Sequence, residues 1–362
     1  MKKTLIALAA VAATGAAFAQ SAVTLYGVVD MGIAMQENTN TTGIAGLGPA
    51  SMERNRMMSV SGASRIGIRG NEDLGAGLRA NFLVEGGLDP SEDTFTISNR
   101  QSFVGLSGAF GEVRLGRQVT PYHTVQGAVD FGGGLASPGY IPLLHNRARS
   151  SNAITYISPS FSGVTVTAQA GVGEHDNVPA DARNDNSFGL NAIYAAGPLT
   201  LAAAFDRVDY ARTFSSVGGN AGAAIPLFGD NGAVPGMAGL SRRTSVWAVG
   251  GAYNFEVARV ALAYSYLTDD KAVGNDVKSD GWNLGVQVPM GAITLFGNFG
   301  QADVTRAGVA NSIDVTGFQL GATYALSRRT SAYVNYGSLE LDVAGRGTLD
   351  RTQFAVGVRH NF

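Results

Sequence analysis

Along the last nine residues, Phe354, Val356, Val358, His360 and Phe362 take one set of alternate positions, and Ala355, Gly357, Arg359 and Asn361 take the other. A period of two with one mostly apolar side predicts a strand with a dry face and a wet face. The same period recurs throughout the chain. It predicts strands near 22–35, 57–70, 76–88, 96–107, 112–120, 149–158, 163–172, 185–196, 199–209, 243–254, 257–268, 278–289, 292–302, 313–326, 331–341 and 351–362, sixteen in all.

The connections between them alternate in length. Short ones include 107–111, 158–163, 196–198, 254–256, 289–292 and 327–329; long ones include 36–56, 121–148, 173–184 and 210–242, rich in Gly, Asn, Asp and Ser. A water-soluble sandwich has no physical reason to sort its loops by length to one end. An outer-membrane barrel does, with tight periplasmic turns and longer extracellular loops. An even strand number returns both termini to the short-turn side, and sixteen strands enclose water where eight would be filled by side chains. The expected fold is therefore all-β, a 16-stranded antiparallel transmembrane β-barrel.

The start of the chain supports that destination. Met1-Lys2-Lys3 is a basic region, Thr4 to Phe18 is small and apolar, and Ala17-Phe18-Ala19 offers a small-x-small cleavage pattern. Fifteen residues of helix span about 22 Å, short of the roughly 30 Å hydrocarbon core, so residues 1–19 read as a cleaved signal peptide rather than an anchor. Residues 20–362 then form one domain, with no linker or composition break. Cysteine is absent, so no disulfides staple the exported chain. Loss of the two leader lysines takes the formal charge from −2 to −4, and no basic block is present, which argues against a nucleic-acid partner. Hydrophobic content of 45% is ordinary for a soluble protein, as expected where every second wall residue can be polar.

Alternation also assigns faces. Ile66 and Ile68 toward lipid turn Arg65, Gly67 and Arg69 inward. Leu78, Ala80, Phe82 and Val84 outward place Arg79, Asn81, Leu83 and Glu85 inside. Val113 and Leu115 outward place Glu112, Arg114 and Gln118 inside, and Ile154 and Tyr156 outward do the same for Arg149, Ser151 and Thr155. Phe103 outward puts Arg100 and Ser102 in the lumen, although Val104 then points in as well. An arginine facing lipid near the midplane would cost roughly 2–4 kcal/mol, so the inward assignment of these arginines follows from physics alone.

Several segments resemble the general diffusion porins of Gram-negative bacteria, particularly their beta-proteobacterial branch. They are Ala22 to Asp30, Ser64 to Gly70 followed by Glu72 to Leu78, Phe103 to Ser107 with Phe110 to Gln118, Tyr156 to Gly163, and the terminal Phe362. The resemblance implies a homotrimer of sixteen-stranded barrels, each a water-filled pore narrowed by an inward-folded third loop, here 121–148. It implies passive diffusion of ions and small hydrophilic solutes, without a cofactor. Arg65, Arg100 and Arg149 are similar to the arginine cluster that faces the constriction loop in this family. Glu85 and Glu112 would partly compensate them, Arg114 would join the pore lining, and Asp130, the one acid in 121–148, would supply an opposing charge. Phe362 resembles the terminal aromatic read by the barrel-assembly machinery. Lipid and lipopolysaccharide are the expected surroundings.

Two other classes are weighed against this. An outer-membrane hydrolase would need a base, but His123, His145 and His175 lie in long connections and His360 on the lipid-facing register, and no G-x-S-x-G motif occurs. Glu174-His175-Asp176 is a solvated loop triplet before it is an ion site. A solute-specific channel would need a lumenal row of aromatics for sugars or an extended basic ladder for one anion; Tyr122 and Tyr140 are too few for the first, and the arginines keep a preference for anions open.

Overall fold

The computed structural model describes residues 22–42, 51–58, 64–91, 94–96, 100–128, 148–173, 186–214, 240–273, 276–307 and 312–362. Residues 1–19, Asp130, Tyr140, His145 and the Glu174–Asp176 triplet lie outside these, so the expectations placed on them are not described. Among the described residues no helix is long and apolar enough to cross a membrane. The chain crosses with strands.

In chain order these are β1 (Ala22–Asn40), β2 (Ser51–Met58), β3 (Arg65–Gly75), β4 (Leu78–Asp89), β5 (Thr94–Thr96), β6 (Ser102–Gly108), β7 (Gly111–Val119), β8 (Arg149–Ile157) and β9 (Val164–Gly171). There follow β10 (Asn186–Ala196), β11 (Leu199–Phe214), β12 (Leu240–Asn254), β13 (Arg259–Val273), β14 (Val277–Met290), β15 (Ile293–Arg306), β16 (Ile313–Ala325), β17 (Thr330–Val343) and β18 (Gly347–Asn361). A helix, α1 (Pro121–Ala128), follows β7 in the connection to β8.

Eighteen segments make sixteen staves, because two staves are interrupted. β2 pairs with the upper half of β1 and β3 with its lower half, from Ala22 opposite Asn71 to Val28 opposite Arg65. β5 and β6 likewise divide the flank of β4. Each stave pairs antiparallel with its neighbours, and β18 closes on β1 from Val28 opposite Asn361 to Asn40 opposite Leu349. The strand predicted at 57–70 thus divides into 51–58 and 65–75, and that at 96–107 into 94–96 and 102–108. At the long-loop end some links are short, such as 344–346 between β17 and β18.

The outer wall carries exposed Leu201, Trp247, Val249, Leu262, Leu284, Leu320, Val334, Val356 and Val358. Aromatics band it at two heights, Tyr253 with Phe255 near the short turns and Trp247 with Tyr264, or Trp282 with Phe299, further up. Alternate inward positions are polar: Asp30, Glu85, Thr155, Gln169, Asn191, Asp206, Ser265, Gln319. Apolar outside and polar inside is the arrangement a bilayer-spanning pore requires, and closure leaves no unpaired edge in lipid.

The helix is where the polar lining gives way. Thr120 caps it, accepting from the His123 N–H at 3.2 Å, and Pro121 occupies the first helical position, where a missing N–H costs nothing. Tyr122 and Val125 pack on Ala202, Ala204, Val246, Ala248 and Ala263, small inward-facing residues of β11 to β13. Asn191 Nδ2 donates to the Pro121 carbonyl at 2.8 Å, and Gln169 Nε2 to that of Val119 at 3.0 Å. Arg259 Nη2 closes the other end on the Ala128 carbonyl at 2.9 Å. The described start of segment 121–148 therefore lies inside the barrel, on a wall of alanines that leaves room for it.

Candidate pore constriction

Opposite that wall, β3, β4 and the segment before β6 bring three charged residues together. Glu85 is buried at 5% exposure on β4, and its Oε1 takes a hydrogen bond from Arg100 Nε at 2.5 Å. Its Oε2 lies 3.2 Å from Arg65 Nε and accepts from Tyr26 Oη at 2.8 Å. Arg149, at the start of β8, sits within electrostatic reach of Arg100, Arg117, Glu85 and Arg65. Among the described residues no carboxylate bridges it, and its Nε has no hydrogen-bond partner. Among the described residues one carboxylate, Glu85, thus stands with the guanidinium groups of Arg65, Arg100 and Arg149, and Arg117 adds a further cation near Arg149.

His123 on α1 faces this layer. Its Nδ1 lies 2.9 Å from Gln126 Oε1. Burial holds its imidazole below the ordinary histidine range, the charges of Arg149 and Arg100 add to that, and the bond to Gln126 opposes it.

Glu112 and Arg114 form a second layer. Arg114 makes a bidentate pair with Glu112, Nε and Nη2 each at 2.8 Å, and Asn81 Nδ2 donates to Glu112 Oε1 at 2.9 Å. Asn81 is four residues nearer the short-turn end of β4 than Glu85, about 13 Å at some 3.3 Å per residue. The pair accordingly stands apart from the Glu85 group along the pore. Asp130 lies outside the described residues. Phe362 is on the outer wall, its amide bonded to the Gly27 carbonyl and its ring over Gly27, where a Cβ would meet Cζ at 2.3 Å.

The faces expected from the sequence fail in two places. Val104 and Leu106 are exposed on the lipid side, so Phe103 is lumenal rather than outward, and the Arg114 guanidinium lies 4.6 Å from its ring centroid. Ser102 therefore sits on the outward register, while Arg100 reaches Glu85 from beyond the strand end. In the pairing of β7 with β8 the register shifts between Gly116 and Gln118, the extra residue lying on β8, where Asn152 takes a φ of 48°. That bulge places Ser150 on the buried face, 3.2 Å from Ser187 Oγ, while Ser151 accepts from Arg117 Nη1 at 2.7 Å. Sequence reasoning also passed over Tyr26 and the helix. Tyr26 alternates with outward Val23 and Leu25, and Thr120-Pro121 is a helix-start signature, so both signals were present.

The Gram-negative porin family model matches residues 4–344 of the chain. The chain belongs to this porin family. Among similar proteins, an outer membrane porin protein of Bordetella pertussis is 32% identical and outer membrane porin protein 32 of Delftia acidovorans 31% identical, each match covering 100% of both chains. Among solved structures, the anion-selective porin from Comamonas acidovorans superposes with a TM-score of 0.71 at 24% identity, over 95% of this chain and 100% of that one. OmpT of Vibrio cholerae in its trimer form gives a TM-score of 0.67 at 18% identity, over 94% and 99%. The protein is thus an outer membrane porin of a Gram-negative bacterium, a channel family rather than an enzyme family.

Proposed function

We propose that this porin is a passive diffusion channel for ions and small hydrophilic solutes, and that the Arg65, Arg100, Arg149 and Glu85 layer tilts it toward anions. The supporting observation is the imbalance of that layer: among the described residues Arg65 and Arg100 share a single carboxylate, Glu85, and no carboxylate bridges Arg149. Low-dielectric walls concentrate the field of such a cluster and raise the local concentration of counter-ions. The anion selectivity stated for the Comamonas structure accords with this reading. Asp130 completes the proposal as the opposing charge, while Glu112 and Arg114, already paired, contribute a wetted wall with little net field.

The test is zero-current potential in planar bilayers under a salt gradient. Neutralising Arg65, Arg100 and Arg149 together should move it toward cation preference, and an unmoved potential would refute the reading. The same proposal includes a homotrimer, consistent with the trimer form of OmpT, and a signal peptide over residues 1–19. It further includes lipopolysaccharide around the outer wall and recognition of Phe362 by the barrel-assembly machinery.

A further inference from the structure

The arginine layer poses a question of its own: a buried carboxylate in the middle of it must be held in place, or its charge would enter the lumen and oppose the arginines. Among the described residues the Glu85 carboxylate has three side-chain partners, and one of these is neutral, the Tyr26 hydroxyl at 2.8 Å. We propose that Tyr26 is the positioning residue of the selectivity layer, pinning Glu85 against the wall between Arg65 and Arg100 by reaching across Gly67. This rests on the reading of the arginine layer given above.

The register makes the reach unusual. Tyr26 is directly opposite Gly67, and Gly67 directly opposite Glu85, so the three form one lateral row on β1, β3 and β4. Two strand spacings separate Tyr26 from Glu85, about 9.6 Å between backbones. The phenol can cross that distance only by lying flat over the middle strand. A Cβ on residue 67 would stand 2.6 Å from Tyr26 Cζ and 2.7 Å from its Oη. Gly67 does not have a positive φ, so no backbone strain demands glycine there. What demands it is the ring lying over the position.

The ring is also held along the strand. Gly67 alternates with Arg65 and Arg69 on the inward register of β3, and the Arg69 guanidinium lies 5.2 Å from the Tyr26 ring centroid, within cation–π range. Tyr26 therefore has a seat, a clamp and one hydrogen bond to give, which goes to the carboxylate. An O–H bond to an ionised acceptor is among the stronger kinds and fixes its direction. With Oε2 committed to Tyr26 and Oε1 to Arg100, the Glu85 carboxylate stays at the wall, and Arg149 keeps its charge for the lumen.

Reversal potentials of five variants test this: Tyr26→Phe, Glu85→Gln, the two combined, Gly67→Ala, and the triple arginine neutralisation. Tyr26→Phe keeps the ring and removes only the hydroxyl. It should lower the anion-to-cation permeability ratio, read as a shift of the reversal potential toward cation preference. Glu85→Gln should raise the ratio, and in that background Tyr26→Phe should have no further effect, because the charge it positions is gone. Gly67→Ala should reproduce Tyr26→Phe by displacing the ring. Heat-modifiable gel mobility identifies the folded barrels, and if Gly67→Ala fails to fold, the Tyr26 and Glu85 pair still decides. An unchanged ratio in Tyr26→Phe, or an equal effect with and without Glu85, overturns the role of Tyr26. If the triple arginine variant moves the potential while Tyr26→Phe does not, only that role falls. If the triple variant leaves the potential unmoved, the reading of the layer itself falls.

Discussion

The arc from β14 to β18 and the arc from β1 to β8 are built on one principle and differ in how strictly they obey it. β14 to β18 are strands of 13–15 residues whose pairings run without a register shift. In β1 to β8, two staves are interrupted and registers shift at Asp73/Gly75 and Gly116/Gln118. Arg65, Arg100, Arg149 and Glu85 all belong to the irregular arc. Regular alternation produces a wall whose inner residues all point the same way. Bulges and breaks re-aim individual side chains, which is what concentrating charge at one level of a pore requires.

The comparison can be broken first on the regular side. Val356→Arg puts a cation on the lipid face of β18 and should cost roughly 2–4 kcal/mol, read as a lower urea midpoint in lipid vesicles, provided the position lies near the midplane. Between the arcs, Ala204→Leu intrudes on the wall that carries α1. Overpacking there should cost about 1–3 kcal/mol, and displacement of the helix should raise single-channel conductance. On the irregular side, Gly116 has a φ of 133°, and a Cβ would lie 2.3 Å from the Ser102 carbonyl oxygen. Gly116→Ala should destabilise the barrel by more than about 1 kcal/mol, and it should shift the reversal potential by moving Gln118 and Arg149.

The smallest effect is a titration. Burial, then the charge of Arg149, hold His123 below its ordinary range. A folded-state value below the unfolded value of about 6.5 gives stability that is complete above that pH and lost as pH falls through the lowered value. Acidification also adds a cation beside Arg149 and Arg100, so anion preference should rise slightly as pH falls through that lowered value. His123→Gln should abolish this component, and an unaltered pH dependence would show that other groups cause it.

Much of this architecture was readable in advance, for a physical reason. The period of two is local, and lipid on one side with water on the other punishes every exception. Ile66 and Ile68 outward implied Arg65 inward, and Phe82 and Val84 implied Glu85, with no knowledge of neighbouring strands. The same logic failed at Phe103 because its cue was ambiguous: three successive residues, Phe103, Val104 and Gly105, fit either face until pairing with Arg114 and Leu115 decided. It failed at Ser150 because a bulge depends on the partner strand, which a single stretch of sequence does not reveal.

Alternation along the chain was enough for a sixteen-stave barrel with a wet interior, arginines on its inner face and a terminal aromatic on its outer one. Those properties follow from each residue's own preference for water or hydrocarbon, repeated at a period of two. It took the folded barrel to pair Glu112 with Arg114 in a layer of its own, to rest α1 on the alanines of β11 and β12, and to carry Tyr26 across Gly67 to Glu85. These are lateral relations between strands distant in the chain, set by register and barrel closure, and no periodicity within one strand encodes them.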